Sequence, residues 1–457
     1  MSTRRGFLKH AALAASAVTA GSSAAAVEAG ETASAGQVAW KRHVPLRYEC
    51  DVAVAGGGIA GVTAAIAAAR NGARVILVER FGVTGGNATV GGVGSFCGET
   101  SGQGAVFDDI ISALQTFDAI APYQPYEEKG SRVFDPEILA VVLQELLLKA
   151  GVKLLLHTQF VDANAGNGGI GECIVCGPSG PEALRAAQYV DCTGEAALAK
   201  AAGFETVKGR PEDGLQLPMS MMFFVRHVGE SDRQRQVPEG WFGKIDDKAD
   251  LPMTSIWPNG PGSNALKIKV PKFDASDTES MTAAEIRARR RMMEVLDYYQ
   301  RNTDKPWLLD HAAARIGIRE GQRVVGEYVL KLDDLRAGRK FDDAIARGVF
   351  YLDGHDPTND KRTYILAEDQ RHVPPYQIPF RSLVPRGAKN LLAAGRCFSA
   401  DQLALSSARV MTTCAMMGQA AGIGAAVAAR KKAPVPALDG AELRALVEKN
   451  GAVLAVG

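Results

Sequence analysis

The sequence lacks several features that mark particular classes of protein. Its 52 basic and 51 acidic residues leave a formal net charge of +1, so it has no basic surplus for binding nucleic acid. No internal repeat is visible, which argues against a solenoid. After the N-terminal segment, no apolar run reaches the about 20 residues that a bilayer span needs. We therefore expect neither a nucleic-acid partner nor a stable membrane span.

Cysteine is scarce and scattered. The seven cysteines include no cluster of four that would hold an iron–sulfur centre. Cys173 and Cys176 form the one C-x-x-C pair, but they fall in a predicted strand hairpin, where residues three apart point to opposite faces. The cysteines therefore indicate packing rather than redox chemistry, and the sequence predicts no metal site.

The N-terminus has the pattern of an export signal. Paired arginines, Arg4 and Arg5, precede a Phe-Leu-Lys sequence and an Ala-rich stretch that ends near Ala29, which is typical of a twin-arginine signal. The alternatives are a membrane anchor, for which the stretch is only weakly apolar, and a helix of the folded domain. We expect residues 1–35 to form a signal and linker that engage the twin-arginine export machinery and direct the protein to the periplasm.

A glycine-rich turn after the first apolar strand is the most informative feature. Gly56 permits a tight turn, Gly58 lets backbone approach a pyrophosphate, and Gly61 lets the following helix pack on the strand. Glu79 ends the next apolar run, 23 positions after Gly56, where a carboxylate can accept hydrogen bonds from ribose hydroxyls. The pattern predicts a bound dinucleotide; the alternative is a glycine-rich turn in some other α/β protein.

A second glycine-rich stretch follows. Nine glycines lie among the 23 residues 82–104, which is too many for ordinary core. Either this loop is flexible or its backbone passes close to a large flat group. Because a dinucleotide fingerprint precedes it, we favour close approach to a flavin.

The remaining patterns place regular elements along the chain. Asp135 and Pro136 predict the start of a helix that ends at Lys149, because proline suits a first turn. Other expected elements are a strand over 151–156 continued by 157–160, a strand and Thr-Gly turn over 187–196, a charged helix near 282–301, a strand over 390–396 and a small-residue helix over 406–429. Nucleotide-binding segments at both ends would then flank an inserted middle.

Several of these segments together resemble a known family. The chain is similar, over roughly residues 48 to 430, to the FAD-dependent oxidoreductases with a two-dinucleotide-binding flavoprotein fold, which are distantly related to heterodisulfide-reductase flavin subunits. Besides the first fingerprint, the likeness rests on the blocks 79–89, 190–195, 317–328, 378–385 and 390–422.

The resemblance implies an α/β fold in which a Rossmann-like FAD-binding domain with a mixed, mainly parallel sheet carries an inserted α+β substrate domain. The expected segments are the first part of the FAD-binding domain, the substrate or cap region, the second part of the FAD-binding domain and a C-terminal tail helix, over residues 48–204, 205–385, 386–432 and 433–457.

The resemblance also implies the cofactor site. Glycines would hold the phosphates and ribityl chain, Arg80 and Phe160 would lie near the adenine, and Gly86 and Thr89 would lie along the ribityl chain and ring. The complete expected set is Gly56, Gly57, Gly58, Gly61, Glu79, Arg80, Gly86, Thr89, Phe160, Thr193, Gly194, Gly395 and Arg396. The helix after Ser406 would point its N-terminus at the flavin pyrimidine.

Candidate catalytic groups lie in the middle of the chain. Hydride transfer to flavin needs a base for the neighbouring O–H or N–H proton, and His355 suits this role if its pKa is near the ordinary 6.5; the alternative is a histidine in a surface turn. Arg319, Arg323 and Arg381 could clamp a carboxylate or hydroxyls, or serve as structural ion-pair partners.

These features predict an exported enzyme that transfers hydride between FAD and a small polar organic molecule, with carbohydrate derivatives as candidates. A quinone, a cytochrome or oxygen is the expected electron partner, because nicotinamide nucleotides are scarce outside the cytoplasm and one full G-x-G-x-x-G is present. The alternatives are a fumarate-reductase-like enzyme and a flavin-carrying electron-transfer or binding subunit with no substrate of its own.

Overall fold

The computed structural model describes residue 38 and residues 41–123, 130–228, 237–302 and 307–456. Val44–Gly457 form one compact unit. The predicted twin-arginine signal lies outside the described residues.

Strands and helices alternate at both ends of this unit. The strands are β1 Leu46–Ala55, β2 Val75–Val78, β3 Ser95–Cys97, β4 Ser131–Val133, β5 Lys153–Leu155, β6 Gln159–Gly166, β7 Gly169–Gly177, β8 Gly180–Asp191, β9 Thr206–Val207, β10 Met219–His227, β11 Thr254–Pro258, β12 Ser263–Val270, β13 Trp307–Ala312, β14 Arg323–Val324, β15 Ala344–Gly348, β16 Tyr376–Pro379 and β17 Leu391–Ala393. The helices are α1 Ile59–Arg70, α2 Ala105–Thr116, α3 Pro136–Lys149, α4 Ala197–Ala201, α5 Thr278–Asn302, α6 Leu332–Arg336, α7 Gln402–Ala408, α8 Met411–Lys431 and α9 Gly440–Lys449.

The larger sheet has the order β5-β2-β1-β8-β7-β6, and β17 pairs with the end of β8 that β7 does not reach. β5, β2, β1, β8 and β17 run parallel, whereas β7 and β6 are antiparallel. The last residues of four parallel strands, Val78, Ala55, Asp191 and Ala393, are paired in register. Their carboxyl ends therefore form one edge, as in other Rossmann-like sheets. This mixed sheet confirms the predicted fold class.

Local sequence signals explain where several helices and strands begin or end. Asp135 caps α3, since its side chain accepts hydrogen bonds from the amides of Glu137 and Ile138 at 2.8 and 3.2 Å, and Pro136 opens the first turn. The predicted continuation of the 151–156 strand through Phe160 is wrong. His157 adopts a left-handed conformation with φ 51°, which ends β5 and turns the chain into the separate, antiparallel β6.

The middle of the chain forms a second sheet, with the antiparallel order β11-β12-β10-β13, against which α5 packs. Ser220 pairs with Lys269 and Met222 with Lys267, so these four side chains share one face. A Cβ added at Gly92 would lie 3.1 Å from that of Met222. This face therefore turns toward the glycine-rich loop of the first part of the chain.

Helices α1 and α8 make the closest packing in the core. A methyl group at Gly418 or Gly422 of α8 would collide with carbonyl oxygens of α1, and the hydroxyl of Thr63 donates to the carbonyl of Ala415 at 3.0 Å. Small residues thus bring the two backbones into contact. The contact joins the fingerprint helix to a helix more than 340 positions later in the chain.

The predicted single helix over 406–429 is two helices. The chain breaks at Arg409 and Val410, where Val410 is extended and caps α8. By length and composition α8 could span a bilayer, contrary to the sequence-based expectation, but 94% of its most apolar window is buried inside the protein. It is the central core helix of the unit.

Candidate functional site

A cavity of about 340 Å³ lies along the edge where the parallel strands end. Its lining comes from the residues that directly follow β1, β2, β8 and β17, together with the start of α8 at Met411 and Cys414. In open α/β sheets this crevice is where ligands bind, and the volume lies within the usual range for small-molecule sites.

The glycines after β1 form a cradle at the wall of this cavity. Gly56 has φ 91°, and a Cβ there would lie 2.7 Å from the carbonyl oxygen of Cys192. A Cβ on Gly61 would collide with the Gly56 carbonyl, whereas one on Gly58 would meet nothing within 4 Å. Gly56 and Gly61 therefore shape the turn, and Gly58 keeps the adjacent cavity open for a ligand.

Glu79 is buried at the end of β2 and lines the cavity. Its carboxylate accepts hydrogen bonds from the amide of Gly57 at 2.6 Å and from the amide of Phe81 at 2.9 Å. These two bonds fix the carboxylate beside the glycine turn. The remaining lone pairs are available to ribose hydroxyls, as the sequence predicts.

Three guanidinium groups line the same part of the cavity. They belong to Arg80, Arg315 and Arg396. Nη2 of Arg396 donates to Glu195 at 2.9 Å, and Arg315 lies 3.7 Å from the same carboxylate oxygen. Burial and the charge of Arg80 lower the pKa of Arg315 to about 9. The carboxylates of Glu195 and Glu79 thus face three cations, and the remaining positive charge suits the negative charge of a diphosphate.

A buried aspartate shapes the turn after β8. Asp191 accepts hydrogen bonds from the amide and hydroxyl of Thr193, at 3.0 and 2.7 Å, and from the amide of Ala199 at 3.0 Å. Burial raises the pKa of the Asp191 carboxyl. These bonds hold Thr193 and Gly194 against the cavity, where the sequence places them.

Most of the expected cofactor residues meet at this cavity. The residues that line it are Gly56, Gly58, Glu79, Arg80, Gly86, Phe160, Thr193, Gly194, Gly395 and Arg396. Gly57 and Gly61 support the wall through the contacts above. Thr89 instead lines a neighbouring depression, and its hydroxyl donates to the Thr84 carbonyl at 2.7 Å.

Of the four expected catalytic residues, Arg319 lines the cavity, beside Arg409 and Met411. It is buried, and its Nη1 donates to the Pro218 carbonyl at 2.8 Å and to the Ser220 hydroxyl at 2.6 Å. Burial and the positive charge of Arg409 lower its pKa to about 10.

His355 lies behind Arg409 rather than in a surface turn. It is 3% exposed, and its Nε2 lies 3.1 Å from Asp353, which also accepts a hydrogen bond from Arg409 at 2.7 Å. Burial and the charge of Arg319 lower the pKa of His355 to about 3. The expected pKa near 6.5 is therefore wrong, and the side chain is a neutral imidazole at pH 7.

Arg323 and Arg381 do not reach the cavity. Arg323 is buried in an ion pair with Glu320 and also donates to the Gly209 carbonyl at 3.0 Å. Arg381 is half-exposed and pairs with Asp343 at 3.0 Å on another surface. For these two arginines the structure shows the ion-pair role that the sequence left open, and we assign them no part at the cavity.

No sequence pattern marks Arg315, Arg409 or Asp353 as site residues. None of them lies in a motif of fixed spacing. Arg315 and Arg409 reach the cavity from loops in different parts of the chain, and Asp353 lies behind it, bonded to Arg409.

The fold and the cavity define a dinucleotide-binding α/β protein of the flavoprotein type. The FAD dependent oxidoreductase family matches residues 51–447, which is most of the chain. The chain therefore belongs to this family and is an FAD-dependent oxidoreductase. The glycine cradle, Glu79 and the three guanidinium groups fit the diphosphate and ribose of FAD.

Solved structures with similar folds are distant in sequence. Anhydrotetracycline hydroxylase OxyS from Streptomyces rimosus is 16% identical, with 88% of this chain and 66% of that chain covered and a TM-score of 0.45. A geranylgeranyl bacteriochlorophyll reductase-like protein from Thermoplasma acidophilum is 14% identical, with coverages of 88% and 83% and a TM-score of 0.46. p-Nitrophenol 4-monooxygenase from Pseudomonas putida is 12% identical, with coverages of 89% and 87% and a TM-score of 0.47. No curated protein matches the sequence.

The two kinds of glycine in the cradle predict different mutant behaviour. Gly58→Ala adds a methyl group to open space at an ordinary backbone conformation, φ −65°, so the apoprotein should keep its stability within about 0.5 kcal/mol. FAD affinity should fall at least about tenfold, because the backbone no longer approaches the phosphates. Gly61→Ala should instead lower the free energy of unfolding by about 1–3 kcal/mol through overpacking.

These effects are measured by urea unfolding of the apoprotein and by fluorescence titration with FAD. Gly424→Ala in α8, where a Cβ would make an ordinary 3.5 Å contact, is the control. Wild-type FAD affinity in Gly58→Ala would contradict the assignment of the cradle.

His355 predicts a pH dependence of stability. Its folded pKa of about 3 lies below the unfolded value of about 6.5, so below pH 6.5 the unfolded state binds the proton and stability falls. Between pH 7 and pH 5, protonation of this histidine in the unfolded state should lower the free energy of unfolding by about 2 kcal/mol. His355→Gln should therefore lose about that much less stability over the same interval, measured by urea unfolding at each pH. His311→Gln, at an exposed histidine, should behave like wild type; an equal loss in His355→Gln and wild type would refute the assignment.

Proposed function

We propose that this protein is an exported oxidoreductase that transfers hydride between FAD and a small polar organic substrate. The observation that carries the proposal is the course of the cavity, which leads from the cradle at Gly58 to Arg319 and Arg409. Beside that end lie the buried side chains of Asp353 and His355. A cavity that extends past the cradle to charged side chains supports an enzyme with its own substrate rather than an electron carrier.

FAD, when bound, supplies a two-electron acceptor for a hydride. The protein must hold the substrate and take the proton that leaves its O–H or N–H group. Asp353 lies at Nε2 of His355, so it favours the tautomer that carries its proton on Nε2. Nδ1 of His355 is buried and has no hydrogen-bond partner among the described residues. Burial and the charge of Arg319 lower the pKa of His355, whereas the Asp353 carboxylate acts to raise it. We assign Nδ1 as the atom that accepts the substrate proton, with Asp353 stabilising the imidazolium that forms.

The finer parts of the proposal rest on the sequence. Arg4 and Arg5 with the Ala-rich stretch support export to the periplasm. Scarcity of nicotinamide nucleotides in that compartment favours a quinone, a cytochrome or oxygen as the electron partner. The proposed distant relationship to heterodisulfide-reductase flavin subunits rests on the same sequence blocks, and carbohydrate derivatives remain the first substrates to test.

Substrate reduction of the flavin tests the reaction. The FAD-loaded protein, mixed anaerobically with sugars, sugar acids and hydroxy acids in turn, should lose its absorbance near 450 nm with at least one of them. NADH and NADPH should not bleach it. His355→Gln should keep its FAD and bleach at least about 100-fold more slowly with the same substrate, because the base is lost.

Two outcomes of this experiment favour the alternatives. If no organic molecule bleaches the flavin but fumarate reoxidises the chemically reduced protein, the chain is fumarate-reductase-like. If neither occurs and reduced protein passes electrons directly to a quinone or cytochrome, it is an electron carrier.

Export is tested separately by the arginine pair. Replacement of Arg4 and Arg5 by lysine should leave the protein in the cytoplasm, because the twin-arginine machinery reads both guanidinium groups. Cell fractionation followed by FAD fluorescence measures this. The same replacement of Arg42 and Arg47, downstream of the signal, should not change the location; periplasmic protein from the Arg4 and Arg5 variant would contradict export by this route.

A further inference from the structure

A group of positive side chains lies at the end of the cavity away from the glycine cradle. Arg319 and Arg409 line the cavity there, and Lys267 is close enough for their charges to act on it. The carboxylate that faces all three is Asp353. Since Asp353 already accepts hydrogen bonds from Arg409 and lies against His355, the group carries more positive than negative charge.

The register of the second sheet explains how Lys267 reaches this group. Lys267 and Lys269 lie two apart on β12, on the same face as Ser220 of β10. The hydroxyl of Ser220 accepts a hydrogen bond from Arg319, so Arg319 lies over this face. The two lysines differ in their partners. The ammonium of Lys269 donates to the Arg362 carbonyl, whereas Lys267 has no hydrogen-bond or ion-pair partner within the described part of the chain.

The partners of Arg319 are neutral as well. It donates to a carbonyl and a hydroxyl, and neither group compensates its charge. Burying a cation without a counter-ion is costly. The lowered pKa values show that cost: burial and the charge of Arg319 lower the pKa of Lys267 to about 8, and burial and the charge of Arg409 lower that of Arg319 to about 10. An anion placed between them would reverse both shifts.

His355, which is linked to Arg409 through Asp353, has an unsatisfied polar atom. The side chain is 3% exposed and its Nδ1 is a buried polar atom without a hydrogen-bond partner among the described residues. Buried polar atoms are nearly always bonded. A ligand held by the neighbouring cations would supply the missing partner.

We propose that the substrate is a small organic acid whose carboxylate is bound by Lys267 and Arg319. The inference deepens the proposed function and rests on it. Arg319 offers a planar pair of donors that matches a carboxylate, and Lys267 offers a point charge. The Arg409–Asp353 ion pair fixes the ring of His355, because Asp353 also contacts its Nε2.

Ligand-binding measurements test the proposed carboxylate site without requiring turnover. The FAD-loaded full chain is titrated with lactate, succinate and acetate, and with the neutral amide of each, at constant ionic strength. The change in the flavin absorbance spectrum gives the dissociation constants. At least one acid should bind about tenfold or more tightly than its amide, because a charge-assisted hydrogen bond is worth at least that factor.

Variants of Lys267 make the test specific. Lys267→Gln should weaken binding of the acid at least about tenfold and leave binding of the amide unchanged, while Lys267→Arg should retain most of the acid affinity. Lys269→Gln is the matched control, on the same strand and face, and should bind the acid like wild type. The ratio of FAD to protein reports folding of each variant, and the comparison of acid with amide in wild type needs no variant at all.

Three outcomes would overturn the inference. The first is equal affinity for acids and amides in wild type. The second is unchanged acid affinity in a Lys267→Gln protein that retains FAD. The third is a lowered flavin reduction potential in that variant with acid affinity unchanged, which would show that the cations serve the reduced flavin instead.

The experiments distinguish a wrong carboxylate site from a wrong proposed function. If a neutral polar molecule bleaches the flavin while acids bind no better than amides, the oxidoreductase reaction stands and the carboxylate site does not exist. If acids bind tightly and selectively but no organic molecule reduces the flavin, the carboxylate site exists and the proposed reaction is wrong.

Discussion

The contact between α1 and α8 is the constraint on which the cofactor site depends. Because Gly418 and Gly422 lack side chains, the backbones of the two helices meet, and Thr63 adds a hydrogen bond across them. This contact holds residues 415–422 of α8 against residues 60–64 of α1. Residues from the two ends of the chain therefore line a single cavity. Larger side chains at these positions would separate the halves of the site without changing any residue that touches the cofactor.

Charge is distributed along the cavity in two separate groups. Near the cradle, Arg315 and Arg396 face Glu195, and Arg80 feels the charges of both Glu195 and Glu79. At the far end, a second set of cations surrounds Asp353. In each group the acid neutralises part of the positive charge and orients the nearest guanidinium. What remains is a positive potential at both ends, in surroundings that screen it less than water does. A ligand with anionic groups at separated positions suits this arrangement.

The sequence predicted the cradle and missed most of the far end, for physical reasons. Phosphate binding by the backbone needs glycines at fixed spacing within one strand–turn–helix unit, so Gly56 and Gly58 can be recognised from a short stretch of sequence. Glu79 can be recognised in the same way, because it ends the next strand at a typical distance. Arg319 and Arg323 are four residues apart and look equivalent in sequence. Only the fold shows that Glu320 captures Arg323. Lys267 is harder still to predict, because its proposed role depends on the register between two strands. It also depends on Lys267 lacking, among the described residues, a partner like the one that Lys269 has.

One edge of β8 pairs with two different strands, β7 and β17, and this has a consequence for biosynthesis. Its first half pairs with β7, which is made just before it, but its second half waits for β17, which is about 200 residues later. Until that late segment leaves the ribosome, the nascent chain exposes an unpaired strand end at the place where the diphosphate should sit. Because Gly395 and Arg396, which directly follow β17, line the same cavity, the wall of the cofactor site is complete only after most of the chain has been made.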